Sequence, residues 1–205
     1  DVINATSIAS NKAMSLLEDS DGNIWVSLYP SGIELVDRKK SAIQTYYHHP
    51  NNSQSLNSNN IVSIFKDTHN NIWIGTEKGL NKFNAATKKF TNYSEHNSKH
   101  WHINASSITT IAEAQDGNLW LGTWGDGLFL ANPETGNIKH FIKHLSSKNT
   151  IDISNIWAIL PGEKTTWIAG DGKKGILIYD HAKQTFKREV FSTEGLELSG
   201  DHIYA

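Results

Sequence analysis

The side chains of this sequence best suited to recognition chemistry are aromatic residues that stand beside carboxylates or imidazoles. Trp124 lies in Trp124-Gly125-Asp126-Gly127, with Glu77 and Tyr29 as its approximate counterparts in two similar stretches. Trp101 lies in His100-Trp101-His102, where no similar stretch carries a tryptophan. A flat aromatic face next to a hydrogen-bonding group is what a sugar ring stacks on and bonds to. Tyr29, Glu77, Trp101, His102, Trp124, Asp126, Asp171 and Lys174 are therefore the candidate ligand-binding residues.

Other chemistries find less support. Ten histidines raise the question of a metal, and the short spacings are His48-His49, His100-x-His102 and His140-x3-His144. A four-residue step faces one ion on a helix, but His140 leaves a strand-like run, no acids cluster nearby and cysteine is absent, so no metal is expected. Absence of cysteine excludes disulfides and thiol nucleophiles and leaves cytosol and periplasm both open. Neither a Gly-x-Ser-x-Gly elbow nor a phosphate loop occurs, so no catalytic residue and no cofactor is assigned. A formal net charge of -2 with scattered lysines gives no field to attract nucleic acid. No apolar run approaches the ~18 residues of a spanning helix, so no membrane segment is expected within the 205 residues.

The elements that must position these side chains announce themselves by repetition. Asp21-Gly22-Asn23-Ile24-Trp25 returns as Asn70-Asn71-Ile72-Trp73, as Asp116-Gly117-Asn118-Leu119-Trp120 and, degenerately, before Trp167, at steps of 48, 47 and 47 residues. Glycine recurs with the same period at Gly32, Gly79, Gly127 and Gly175. A period in the range of about 20 to 50 residues marks a solenoid, propeller or array. Apolar anchors at Ile8, Leu56, Ile103, Ile151 and Leu198 place the units at 8–55, 56–102, 103–150 and 151–197, with a fifth begun at 198–205.

Within a unit, β-branched and aromatic runs separated by turn residues read as four strands, for example 61–65, 71–75, 79–83 and 89–93. Asp21-Gly22, Asn70-Asn71 and Asp116-Gly117 are pairs that suit a two-residue type I′ hairpin. Four-stranded antiparallel units that cannot bury both faces alone stack as the blades of a β-propeller. The fold class is thus all-β, about four blades of one propeller domain. The repeating tryptophans carry large apolar area and are expected between blades rather than on a ligand face. Trp25, Trp73, Trp120 and Trp167 are not followed by aspartate, which excludes a WD40 array.

Ile64-Phe65-Lys66-Asp67, Asn71-Ile72-Trp73-Ile74-Gly75-Thr76 and Gly79-Leu80-Asn81-Lys82-Phe83 together resemble the two-component-regulator propeller repeat, and Glu113 through Phe129 is nearly as close. The resemblance implies a periplasmic sensor of bacterial signal transduction, with seven-bladed propellers ahead of a membrane segment and a kinase or cyclase output. It also implies a small-molecule or oligosaccharide ligand, glycan fragments in particular. A protein–protein scaffold stays open as an alternative. So does an enzyme similar to streptogramin lyase, whose blades also read Asp-Gly-Asn-x-Trp. Asp21-Gly22-Asn23-Ile24-Trp25 is similar, too, to the Asp-box turn of sialidase propellers, a fold element without catalysis of its own. The stretch before Ile8 reads as too short for an outer strand, and 198–205 as one strand of a further unit. The chain is accordingly expected to be an arc of a larger, seven-bladed propeller, partnered by adjacent blades and further domains of its parent. The uncovered faces near Met14, Ile24, Trp157 and Ile176 are expected to favour self-association.

Overall fold

The computed structural model describes residues 3–5, 7–93, 103, 107–141, 151, 153–171, 176–189, 192–193 and 196–197. Strands are the only regular elements among them. The first sheet contains β1 (Ile3–Ala5), β2 (Ala13–Glu18), β3 (Ile24–Leu28), β4 (Gly32–Asp37) and β5 (Ala42–Tyr46). The second runs β6 (Ile61–Lys66), β7 (Ile72–Thr76), β8 (Gly79–Asn84) and β9 (Lys89–Tyr93). The third runs β10 (Ser107–Glu113), β11 (Leu119–Trp124), β12 (Leu128–Ala131) and β13 (Ile138–Phe141). The fourth runs β14 (Ile156–Pro161), β15 (Thr165–Gly170), β16 (Ile176–Asp180) and β17 (Thr185–Glu189). A short hairpin of β18 (Ser192–Thr193) and β19 (Leu196–Glu197) follows, and the fifth unit at 198–205 lies outside the described residues.

In each large sheet four strands consecutive in the chain pair antiparallel in chain order, the topology of a propeller blade. One expectation is corrected here. The residues before Ile8 do supply a strand: β1 pairs antiparallel with β5, Ile3 opposite Thr45 and Ala5 opposite Ile43. Three residues suffice because the added strand needs only to engage the open backbone groups of an edge.

The hairpins between first and second strands also differ from the type I′ expectation. Only one residue in each takes a positive φ, Gly22 at 80°, Asn70 at 63° and Gly117 at 76°. Gly22 N donates to Asp19 O and Asp19 N to Asn23 O, so three residues form the turn. This is a type I turn closed by one left-handed residue. A side chain selects it. Asp19 Oδ1 accepts from the backbone N of Asp21 and Asn23, and Oδ2 accepts from Asn23 Nδ2 and, at 3.0 Å, from Trp25 Nε1. Asp67 repeats the pattern with His69, Asn71 and Trp73, whose Nε1 lies 2.8 Å from Oδ2. Burial pushes the Asp19 carboxyl up, but the bonds from Asn23, Trp25 and Asp21 together outweigh it and hold the group below the ordinary aspartate value.

Two compact units divide the chain at 108/109. In the first, Trp25 lies under Tyr46 and meets Phe83 of the next sheet edge to face, at centroid distances of 6.0 and 4.8 Å. Within the second, Trp120 repeats this with Phe141 at 5.9 Å and Tyr179 of the next sheet at 5.2 Å. Each tryptophan is thus a wedge between consecutive blades of its unit, 1 % exposed in both cases. Trp167 on β15 is half-buried.

Blades approach closely where a second strand carries glycine. A Cβ at Gly122 would fall 2.6 Å from Thr110 Cγ2 and 2.7 Å from Ile156 Cγ2 on the neighbouring first strand. Ile156 is β-branched and fully buried, so it cannot swing aside. Gly122→Ala is expected to cost about 1–3 kcal/mol, as overpacking of a tight core does, measured as a lower urea midpoint with unchanged slope. The third-strand glycines answer a different demand. Gly32 has φ 86°, and a Cβ there would strike the carbonyl of Tyr46.

Candidate ligand-binding site

Second strands carry the candidate site at their ends. Tyr29, Glu77, Trp124 and Asp171 each stand four residues after a repeat tryptophan, so four of the sequence-derived candidates share one repeat position. Alternation along β11 puts Trp120, Gly122 and Trp124 on one face of the sheet. The first of these is core. Trp124 is past the end of the packed layer and 56 % exposed.

In the second unit the structure brings Trp124 and Asp171 to one place through two intermediaries. The Trp124 ring meets Trp157 edge to face, with centroids 5.0 Å apart and planes at 80°. Trp157 Nε1 donates to Asp171 Oδ1 at 2.6 Å, and Asn155 Nδ2 donates to Asp171 Oδ2 at 2.8 Å. Asn155 also ties the adjoining backbone: its Oδ1 accepts from Gly125 N at 2.8 Å and its carbonyl from Asp171 N at 2.9 Å. The result is an exposed indole beside a carboxylate held in fixed orientation, an apolar platform with an acceptor at its margin. Asp126 is next to this group, and its carbonyl receives His140 Nε2 at 2.6 Å while the imidazole stacks on Phe129.

In the first unit the same position is built differently. Glu77 Oε2 accepts from Asn60 Nδ2 at 2.6 Å and Oε1 from Ser58 Oγ at 3.2 Å. Tyr29 is 44 % exposed, with the Lys12 ammonium 5.9 Å from its ring centroid. Trp101, His102, Lys174 and the repeat Gly175 lie outside the described residues. Asn155 and Trp157 are the residues that sequence reasoning missed. Their signal was present: Asn60 and Asn155 both stand immediately before a first strand, four residues after the anchors Leu56 and Ile151, and each holds a carboxylate at the Trp-plus-four position. Among the described residues no three His, Asp or Glu side chains gather as a metal site. His48, one of the short-spaced pair, places Nδ1 2.6 Å from the carbonyl of Leu56.

The family described as the two component regulator propeller matches residues 7–29, 55–78 and 102–125, the turn, first strand and second strand of three successive blades. The chain carries two-component-regulator propeller repeats. Among solved structures that share the repeats' fold, the extracellular domain of a proposed one-component system from B. thetaiotaomicron superposes with a TM-score of 0.73 at 17 % identity, over 97 % of this chain and 25 % of that one. The extracellular domain of a proposed hybrid two-component system from the same organism gives 0.63 at 20 % identity, over 96 % and 31 %. Virginiamycin B lyase from Staphylococcus aureus gives 0.63 at 17 % identity, over 91 % and 58 %, so the same propeller fold also serves an enzyme. The chain spans about a quarter to a third of the length of the sensor domains it matches. No curated protein sequence matches it.

Proposed function

We propose that this chain is an extracytoplasmic ligand-recognition segment of a bacterial signal-transduction sensor and that it binds a glycan fragment on the face bearing Trp124. The carrying observation is the exposed Trp124 indole, braced by Trp157 and bordered by an Asp171 carboxylate that Asn155 and Trp157 orient. An indole face covers the C–H side of a pyranose, and an oriented carboxylate accepts its hydroxyls. The regulator repeats support a sensory role over a catalytic one. They also support an extracytoplasmic setting by way of the sensor domains with the same fold. The output would come from other domains of the parent.

A panel of neutral oligosaccharides tested by thermal shift and calorimetry checks this. A true ligand at 100 times its Kd is expected to add about 2.7 kcal/mol to stability. Trp124→Ala should abolish that gain and leave the unliganded melting temperature nearly unchanged, because the side chain is mostly in solvent. A panel without a binder, or a Trp124→Ala variant that binds as well as the parent, would overturn the assignment.

A further inference from the structure

The opposite end of the same two blades carries a second feature. Asp19 and Asp67 accept the indole N–H of Trp25 and Trp73, but the third blade has Ala114 at that repeat position. Trp120 is 1 % exposed, and its Nε1 has no hydrogen-bond partner among the described residues. A buried donor left in that state is costly, roughly 1–3 kcal/mol. The turn itself is not what suffers. Asp116 has taken it over, Oδ1 accepting from Asn118 N at 3.1 Å and Oδ2 from Asn118 Nδ2 at 2.7 Å. Only the indole is stranded.

Beside it is a cleft of about 490 Å³ bordered by Ala114 and Trp120. Leu130 and Tyr179 give it apolar walls, and Lys139 and His181 line it as well. Lys139 Nζ makes one bond there, to Gln184 Oε1 at 3.2 Å, and an ammonium has three donors. Asp116 is the carboxylate of the lining, and Asn118 occupies an acceptor position on each of its oxygens.

An acceptor is missing where the first two blades have a carboxylate, and space adjoins the place. We propose that this cleft binds a small organic carboxylate. Its carboxylate takes the position of the absent aspartate and accepts the Trp120 indole N–H. Its apolar body lies along Leu130 and Tyr179, and Lys139 balances the charge. Because Nε1 is itself buried, entry requires a lining side chain to move aside. This site is at the end of the blades remote from Trp124 and does not depend on the glycan assignment.

The test uses the 205-residue chain, ¹⁵N-labelled in its indoles, with sodium acetate and sodium benzoate as probes and sodium chloride at matched ionic strength as control. Trp120→Phe assigns the Trp120 indole resonance. The expected result is a saturable downfield shift of that resonance with a carboxylate and none with chloride. Ala114→Asp should show the shifted position without any probe and no further response. Ala114→Leu, which fills the space with no acceptor, should stay at the unshifted position throughout and serves if the aspartate variant does not fold. Failure of both carboxylates to move the Trp120 resonance saturably, an equal shift with chloride, or an undiminished response in Ala114→Leu would each overturn the proposal.

Discussion

Trp73→Ala is expected to lose about 3–5 kcal/mol of folding stability, the range for deleting a large buried aromatic side chain. Trp73 is fully buried on β7, its ring tilted at 43° against Tyr93 at a centroid distance of 5.6 Å and covered by the Lys82 ammonium at 5.1 Å. The deletion removes all of these contacts at once. Its neighbours are strands fixed by ladder bonds to β6 and β8, so the cavity has little freedom to collapse. Against a total of roughly 5–15 kcal/mol for a native domain, the loss is a large fraction. Trp124→Ala is the control, since it leaves the core intact and gives up one ring contact, to Trp157, from a side chain more than half in solvent, so its loss should be far smaller. Paired urea titrations measure the contrast. Equal midpoints for the two variants would mean that Trp73 is not part of the packed core.

That contrast also marks what was legible in the sequence. Trp120 and Trp124 are four residues apart on one strand, and repetition alone separates them: the first recurs in every unit, while the second is replaced by Tyr29, Glu77 and Asp171. A position held constant by packing and one free to vary at a surface follow from the same blade geometry, so fold and candidate face both came from counting. Pairings between blades did not, because they depend on which residues meet across a gap that no sequence period encodes. Trp157 is an example. From its strand it looked like an uncovered apolar face, and in the structure it is the brace of the Trp124 platform. Burial of a charge within one blade was not legible either: Glu34 on β4 is fully buried, its Oε1 accepting from Ala9 N and Thr45 Oγ1, each at 3.1 Å. The type I′ assignment failed because dipeptide preference was weighed without the full turn: three residues close it, only the last left-handed, at Gly22, Asn70 and Gly117, and in the first two blades the carboxylates of Asp19 and Asp67 gather its N–H groups.

Asp67→Ala is expected to cost about 3 kcal/mol, by orphaning a buried indole donor and releasing charge-assisted bonds in the turn. Asp67 is itself 5 % exposed and accepts from His69 N, Asn71 N, Asn71 Nδ2 and Trp73 Nε1 at 2.7 to 3.0 Å. The third blade shows how this loss divides. There alanine stands at the corresponding Ala114, Asp116 holds the turn, and Trp120 Nε1 has no partner among the described residues. His69 occupies the position of Asp116 and is exposed, and Asp21 shows that the position accepts aspartate in a blade that also keeps the capping Asp19. Combining Asp67→Ala with His69→Asp therefore transplants the third blade's wiring into the second. The new carboxylate can take Asn71 N and Nδ2, but it cannot reach into the core to the indole. The double variant should regain the share of stability that belongs to the turn and none of the share that belongs to Trp73 Nε1. Its Trp73 indole resonance should match that of Asp67→Ala alone. Full recovery would show that the indole bond contributes nothing, and no recovery would show that the turn bonds contribute nothing. In either case the aspartate would not be the joint between turn and core that its geometry describes.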